Sequence, residues 1–260
     1  MNCKDFENEK FDIIWLAGQS NAQGSGYGPV REEHLPDGVL YRMYGSGKYD
    51  AAGIGDWILP LPVEIGIEPS DSRKKYDFAI SFAQEYRKRG FLAEGRKILI
   101  VDAALGATGF VRGHWRPQDP ACIRMHQMLD AALALNAENR VVAMLWHQGE
   151  SEASRSVDEQ THYQNLSTLL WSVRKKVGAV PILTGDFCAQ WKSENVEKCA
   201  PIICAIRRVM EDMGGAFVET ADLPSNEQDK TEEPDHIHFS RRSLEILGKR
   251  FFAAFTELKK

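Results

Sequence analysis

The sequence predicts an α/β fold, a mainly parallel sheet with helices on both of its faces. Three observations lead there: short apolar runs rich in β-branched residues recur along the chain, helical patterns lie between them, and polar, glycine-containing stretches follow several of the runs. Continuous apolar runs of strand length are what strands buried on both faces look like. Regular strand–helix alternation yields parallel pairs, because a parallel crossover needs a helix-length connection.

The strand candidates are residues 12–16 (DIIWL), 97–101 (KILIV), 141–146 (VVAMLW) and 180–184 (VPILT). Helical patterns cover 77–89, 120–135, 157–177, about 197–213 and 241–258, the last with Leu244, Leu247, Phe251, Phe255 and Leu258 at helical spacing. From Gly24 to Arg73 glycines, prolines and charges are dense and only 39–44 looks strand-like, so this stretch is expected to be a long surface loop and a functional rim or lid. In such a fold ligands bind beyond the carboxyl ends of the strands, which is where chemistry should be sought.

Composition narrows the function classes. The chain has 260 residues, 43% apolar and 27% charged, with no internal repeat and no Pro/Gly/Ser linker, and is expected to form a single domain over 1–260. A formal charge of −5 excludes a strongly basic nucleic-acid binder. No apolar stretch approaches the roughly 20 residues that span a bilayer. The N-terminus, MNCKDFENEK, is too acidic and polar for a secretory signal, so a cytoplasmic location is expected. Cys3, Cys122, Cys188, Cys199 and Cys204 are odd in number and form no CxxC pair; reduced thiols are expected, with Cys199 and Cys204 buried as small apolar side chains.

Polar chemistry begins where the strands end. After the first strand comes Gly18-Gln19-Ser20-Asn21: glycine allows a sharp turn, and an exposed Ser20 offers a hydroxyl and a backbone N–H, although Ser20 or Asn21 capping a helix explains the same residues. After the third strand comes His147-Gln148-Gly149-Glu150-Ser151-Glu152. Gln148 can donate toward an oxyanion and Glu150 can orient a histidine or hold a substrate hydroxyl, whereas Glu150 and Glu152 can also simply complement a helix dipole. Asp235 and His238 precede the last helix at a spacing that lets a carboxylate reach a ring nitrogen and fix its tautomer. His236 and His238 can ligate a metal, but the other histidines form no compact ligand spacing with them. The run Ala103–Phe110, after the second strand, contains Gly106 and lacks the phosphate-binding GxxxxGK[ST] pattern; it can donate backbone N–H groups to an oxyanion or be a plain connection.

Taken in order, Gly18-Gln19-Ser20-Asn21, the Gly106-Ala107-Thr108 loop, Gln148-Gly149-Glu150-Ser151 and Asp235-x-x-His238-Phe239-Ser240 resemble the SGNH hydrolases, and within them the sialate O-acetylesterase and acetylxylan esterase branch of carbohydrate esterases. The resemblance runs from about residue 12 to 255. It implies a three-layer α/β/α sandwich, with Ser20 as nucleophile, His238 as general base and then acid, and Asp235 as the orienting carboxylate. It also implies an oxyanion hole from the N–H groups of Ser20 and Gly106 and the side chain of Gln148, with Glu150 as a competing or supporting acid. Ala22 and Ala107 stand where the family commonly has methionine and glycine; Ala107 tolerates positive φ less well than glycine.

The expectation is therefore a serine esterase, needing no cofactor or metal, that removes O-acetyl groups from a small or oligomeric carbohydrate ester of xylose, xylan or sialate type. Arg112 and Trp115 are candidates for binding the sugar, and equally for a surface charge and a packed aromatic. The alternatives are a sugar-binding module without turnover and an O-acyltransferase using the same acyl-serine. The basic, amphipathic C-terminal helix is expected to cover the sheet rather than a membrane.

Overall fold

The computed structural model describes residues 3–46, 64–70, 76–231 and 235–260. Its strands are β1 (Phe11–Gly18), β2 (Leu40–Ser46), β3 (Glu64–Pro69), β4 (Lys97–Asp102), β5 (Arg140–His147), β6 (Ile182–Gly185) and β7 (Ala216–Val218). They form one sheet in the order β3-β2-β4-β1-β5-β6-β7. Every neighbouring pair is parallel except β2 and β3. Every residue of β1 is buried, as expected of a central strand covered on both faces. The chain builds one side of β1 through β4 and the other from β5 onward, and this switch sets the crevice at the carboxyl end of β1.

The helices are α1 (Ser20–Gln23), α2 (Phe78–Lys88), α3 (Pro120–Ala134), α4 (Glu150–Ala153), α5 (Glu159–Val177), α6 (Ala189–Glu194), α7 (Val196–Met213) and α8 (Arg241–Glu257). Starts follow capping chemistry: the side chains of Asp77, Asp158 and Ser240 accept from the first turns of α2, α5 and α8. One layer pairs α2 with α8, where the ring of Phe82 meets those of Phe252 and Phe255 with centroids 5.7 and 5.5 Å away. A Cβ on Gly248 would lie 2.1 Å from the Phe78 carbonyl oxygen, so glycine is what lets the two helices approach. In the other layer α3 joins α5 through His126 and Ser172, 3.2 Å apart, and α5 joins α7 through Tyr163 and Asp212 at 2.7 Å. The apolar stripe of α8 is buried, as the sequence predicts for a sheet-covering helix.

The sheet has two strands more than the sequence suggests. β3 is an antiparallel edge strand inside the stretch expected to be loop, and its Pro69 is tolerated because an edge strand leaves N–H groups unpaired. β7 has only three residues, too few for a periodic signal. The remainder of the expected rim, 47–63 and 71–75, lies outside the described residues. Arg42 of β2 pairs with Asp77 at the start of α2 and with Asp102 at the end of β4, at 2.5 Å from the latter. Burial pushes the Asp102 carboxyl up to about 6 against the pull of Arg42. All five cysteines are free thiols; Cys199 is buried as expected, but Cys204 is exposed, because residues five apart on a helix face different ways. Among the described residues no helix is long and apolar enough to cross a membrane.

Candidate active site

The end of β1 sets the first side chain. Gly18 has φ +129°, and a Cβ there would lie 2.1 Å from the His147 carbonyl oxygen, so only glycine carries the strand past β5 into α1. Ser20 opens α1 immediately afterwards, where the first N–H groups of a helical turn have no acceptor within it. Its Oγ lies 2.7 Å from Nε2 of His238, across 218 residues of sequence. Nδ1 of the same ring lies 2.8 Å from Oδ2 of Asp235, whose Oδ1 accepts the N–H groups of Ile237 and His238 at 3.2 and 3.1 Å.

Asn21 and Asn226 hold this loop in place. The Asn21 amide donates to Glu150 Oε1 at 2.9 Å and to the Ile237 carbonyl at 3.3 Å, while its oxygen accepts the Phe239 N–H at 3.1 Å. The amide of Asn226 donates to Asp235 Oδ2 at 3.1 Å and to the Ser25 carbonyl at 2.9 Å, and its oxygen accepts from Tyr27 N–H. Burial pushes the Asp235 carboxyl upward, but the hydrogen bond and charge of His238, joined by Asn226, outweigh it and hold the group below the usual carboxylate range. Sequence reasoning missed Asn226, which sits in an irregular stretch with no motif to mark it.

Glu150 does not contact His238. Its side chain is buried, with Oε1 on Asn21 and 3.7 Å from Nδ1 of His147, so among the described residues the ring nitrogen opposite Ser20 belongs to Asp235 alone. The Gly106 N–H donates to the side-chain oxygen of Gln23 at 3.0 Å, and a Cβ on Gly106 would lie 3.7 Å from that of Ser20. The Gln148 amide donates to Gln19 Oε1 at 3.2 Å and to Glu152. Both expected donors, the Gly106 N–H and the Gln148 amide, therefore border the turn that carries Ser20 and are engaged with neighbouring side chains. Ala107 adopts φ +58°, the left-handed conformation that its glycine-free position makes costly.

The sugar-platform expectation fails for Trp115. Its side chain is 0% exposed, packs edge-on against Trp146 at 5.1 Å and donates to Thr108 Oγ1 at 2.8 Å, leaving no face for a sugar. The packed-aromatic reading of that residue holds. Arg112 is partly buried and donates to the Ala107 carbonyl at 2.7 Å, one residue from Gly106. Among the described residues no group of three His, Cys, Asp or Glu side chains is arranged to hold a metal.

Residues 10–257 match the model of a family described as "Carbohydrate esterase, sialic acid-specific acetylesterase". The chain belongs to this family. It is accordingly a carboxylic ester hydrolase of the carbohydrate esterase kind, acting on acetyl esters. No curated protein matches the chain significantly. Among solved structures the carbohydrate esterase chain is similar to NanS, with TM-score 0.75 and 18% identity over 96% of this chain and 98% of that one. A protein from Arabidopsis thaliana gives TM-score 0.67 at 18% identity, covering 95% and 98%. A mutant of Axe2, an acetyl-xylooligosaccharide esterase from Geobacillus, gives TM-score 0.52 at 12% identity, covering 95% of each chain. At these identities the likeness is one of fold, the SGNH α/β fold expected from the motifs.

Proposed function

We propose that this carbohydrate esterase removes O-acetyl groups from sugars through an acetyl-serine intermediate on Ser20. The observation that carries the reading is the continuous chain Ser20 Oγ, His238, Asp235, with its two links at 2.7 and 2.8 Å. With the Nδ1 proton donated to Asp235, Nε2 of His238 is the accepting nitrogen and takes the Ser20 proton as Oγ attacks the acetyl carbon. His238 then returns that proton to the departing sugar oxygen, leaving acetyl on Ser20. Water, deprotonated by the same nitrogen, releases acetate and restores the serine.

The oxyanion is met by the Ser20 N–H, by the Gly106 N–H once the Gln23 side chain turns away, and by the Gln148 amide once one of its two N–H groups leaves Gln19 while the other stays on Glu152. The family description favours an O-acetylated sialate over an acetylated xylose. The deciding experiment measures acetate released from an aryl acetate, an O-acetyl sialate and an acetylated xylose by wild type and Ser20→Ala. Wild type is expected to release acetate, with sialate preferred, and a folded Ser20→Ala to lose about four orders of magnitude or more. A folded Ser20→Ala at the wild-type rate would falsify the nucleophile; turnover of xylose alone would reverse the substrate.

A further inference from the structure

We infer that Glu152 is a positioning residue for the proposed reaction, a buried carboxylate that holds the Gln148 amide and the loop after β4 against the nucleophile turn as one unit. The inference rests on the proposed role of Gln148 at the reacting carbonyl.

Glu152 is 0% exposed. Its Oε1 accepts the backbone N–H groups of Phe110 at 2.6 Å and Val111 at 3.4 Å, and its Oε2 accepts from Nε2 of Gln148. The same Gln148 nitrogen donates to Gln19 Oε1 at 3.2 Å, and Gln19 Oε1 also receives the Ser151 N–H at 3.3 Å. One carboxylate thus joins the loop after β4, the turn after β5 and, through Gln148, the residue that precedes Ser20. A helix-dipole role does not account for these contacts: the partners of the carboxylate lie in the 110–111 loop and on Gln148, outside the turn that Glu152 belongs to.

Burial raises the proton affinity of Glu152, and the hydrogen bonds from Gln148, Phe110 and Val111 oppose it. Its three partners are all N–H donors, so only two acceptor oxygens satisfy them together. Gln148 depends on this arrangement, because its own Oε1 is buried without a hydrogen-bond partner among the described residues. The N–H side alone fixes the amide. Glutamine at position 152 has one acceptor oxygen, so turning it toward the loop sets its NH2 against the Gln148 NH2, and the Gln148 amide has to rotate.

The test is a double-mutant cycle of Glu152→Gln and Gln148→Ala, reading kcat and KM on an aryl acetate, with circular dichroism and thermal unfolding on each variant and Ser20→Ala as control. Glu152→Gln is expected to lower kcat about 10- to 100-fold with KM within about 3-fold, and to cost nothing further in the Gln148→Ala background. A general structural role would not cancel in this way. Losses that multiply in the double variant, or an unchanged kcat in Glu152→Gln, overturn the inference. Should Glu152→Gln fail to fold, Glu152→Asp, which keeps the charge but is one methylene too short to span both partners, enters the same cycle with the same expectation. Activity surviving in Ser20→Ala overturns the nucleophile instead, and is scored separately.

Discussion

The backbone N–H of Gly106 donates to the side-chain oxygen of Gln23 at 3.0 Å, so an amide oxygen occupies a donor bordering Ser20. Gln23 closes α1, one turn after the serine, and can reach the loop beyond β4 because both segments leave the sheet at the same end.

A substrate carbonyl that uses the Gly106 N–H must first displace Gln23. One net hydrogen bond is worth about 0.5–1.5 kcal/mol, or about 2- to 10-fold. Gln23→Ala is therefore expected to raise kcat/KM on a small aryl acetate by about 2- to 10-fold, read by initial rates well below KM. A fall in kcat/KM would mean that Gln23 assists the reaction rather than competing for the donor.

Asp235 and Glu150 are separable by substitution. Asp235→Asn presents an amide to Nδ1 of His238 and disfavours the tautomer that leaves Nε2 free to accept, so kcat is expected to fall by about two to four orders of magnitude. Glu150→Gln reaches His238 through Asn21, which orients the backbone on either side of that histidine, and a loss below about 10-fold is expected. Steady-state kinetics on both variants decide; a larger loss in Glu150→Gln would make Glu150 the principal acid.

At the opposite end of β1, Asp12 is expected to link stability to pH in acid. It is 0% exposed, with Arg96 and Arg140 each at 2.7 Å and the Tyr86 hydroxyl at 2.8 Å. Burial pushes its carboxyl up, but Arg140, Tyr86 and Arg96 together hold it below the ordinary value. A carboxyl depressed in the folded state contributes stability above its unfolded pKa of about 3.9, and that contribution is lost as pH falls through the folded value. Asp12→Asn is expected to cost about 3–5 kcal/mol at neutral pH. Denaturant unfolding at pH 7 and pH 3 should show the gap to wild type narrowing in acid; an equal gap at both would exclude the ionised carboxylate as its source.

Local patterns made most of the fold readable. β1, β4, β5 and β6 are apolar runs buried on both faces, and the long helices carry stripes and caps that announce themselves within a few residues. β3 and β7 escaped because an edge strand with glycine and proline, or one of three residues, has too little periodicity to read. Trp115 illustrates the opposite case, since an indole at the end of a polar loop has the same letter whether it faces a sugar or Trp146.

By itself the sequence determined the α/β class, the strands whose ends carry polar turns, and the residue types at those turns, because burial periodicity and turn chemistry are properties of short segments. Only the tertiary structure decided which side chains meet. Asp235 rather than Glu150 reaches His238, Asn226 supports Asp235, Gln23 covers Gly106, and Glu152 binds Gln148 to the 110–111 loop. Two of these pairs, Gln23 with Gly106 and Glu152 with Phe110, come from different crossovers of the sheet, 83 and 42 residues apart, and converge because parallel strands deliver their following loops to one edge. Which polar atom then answers which is set by distance and by the need to satisfy buried donors and acceptors, a condition on the folded arrangement that no single segment contains.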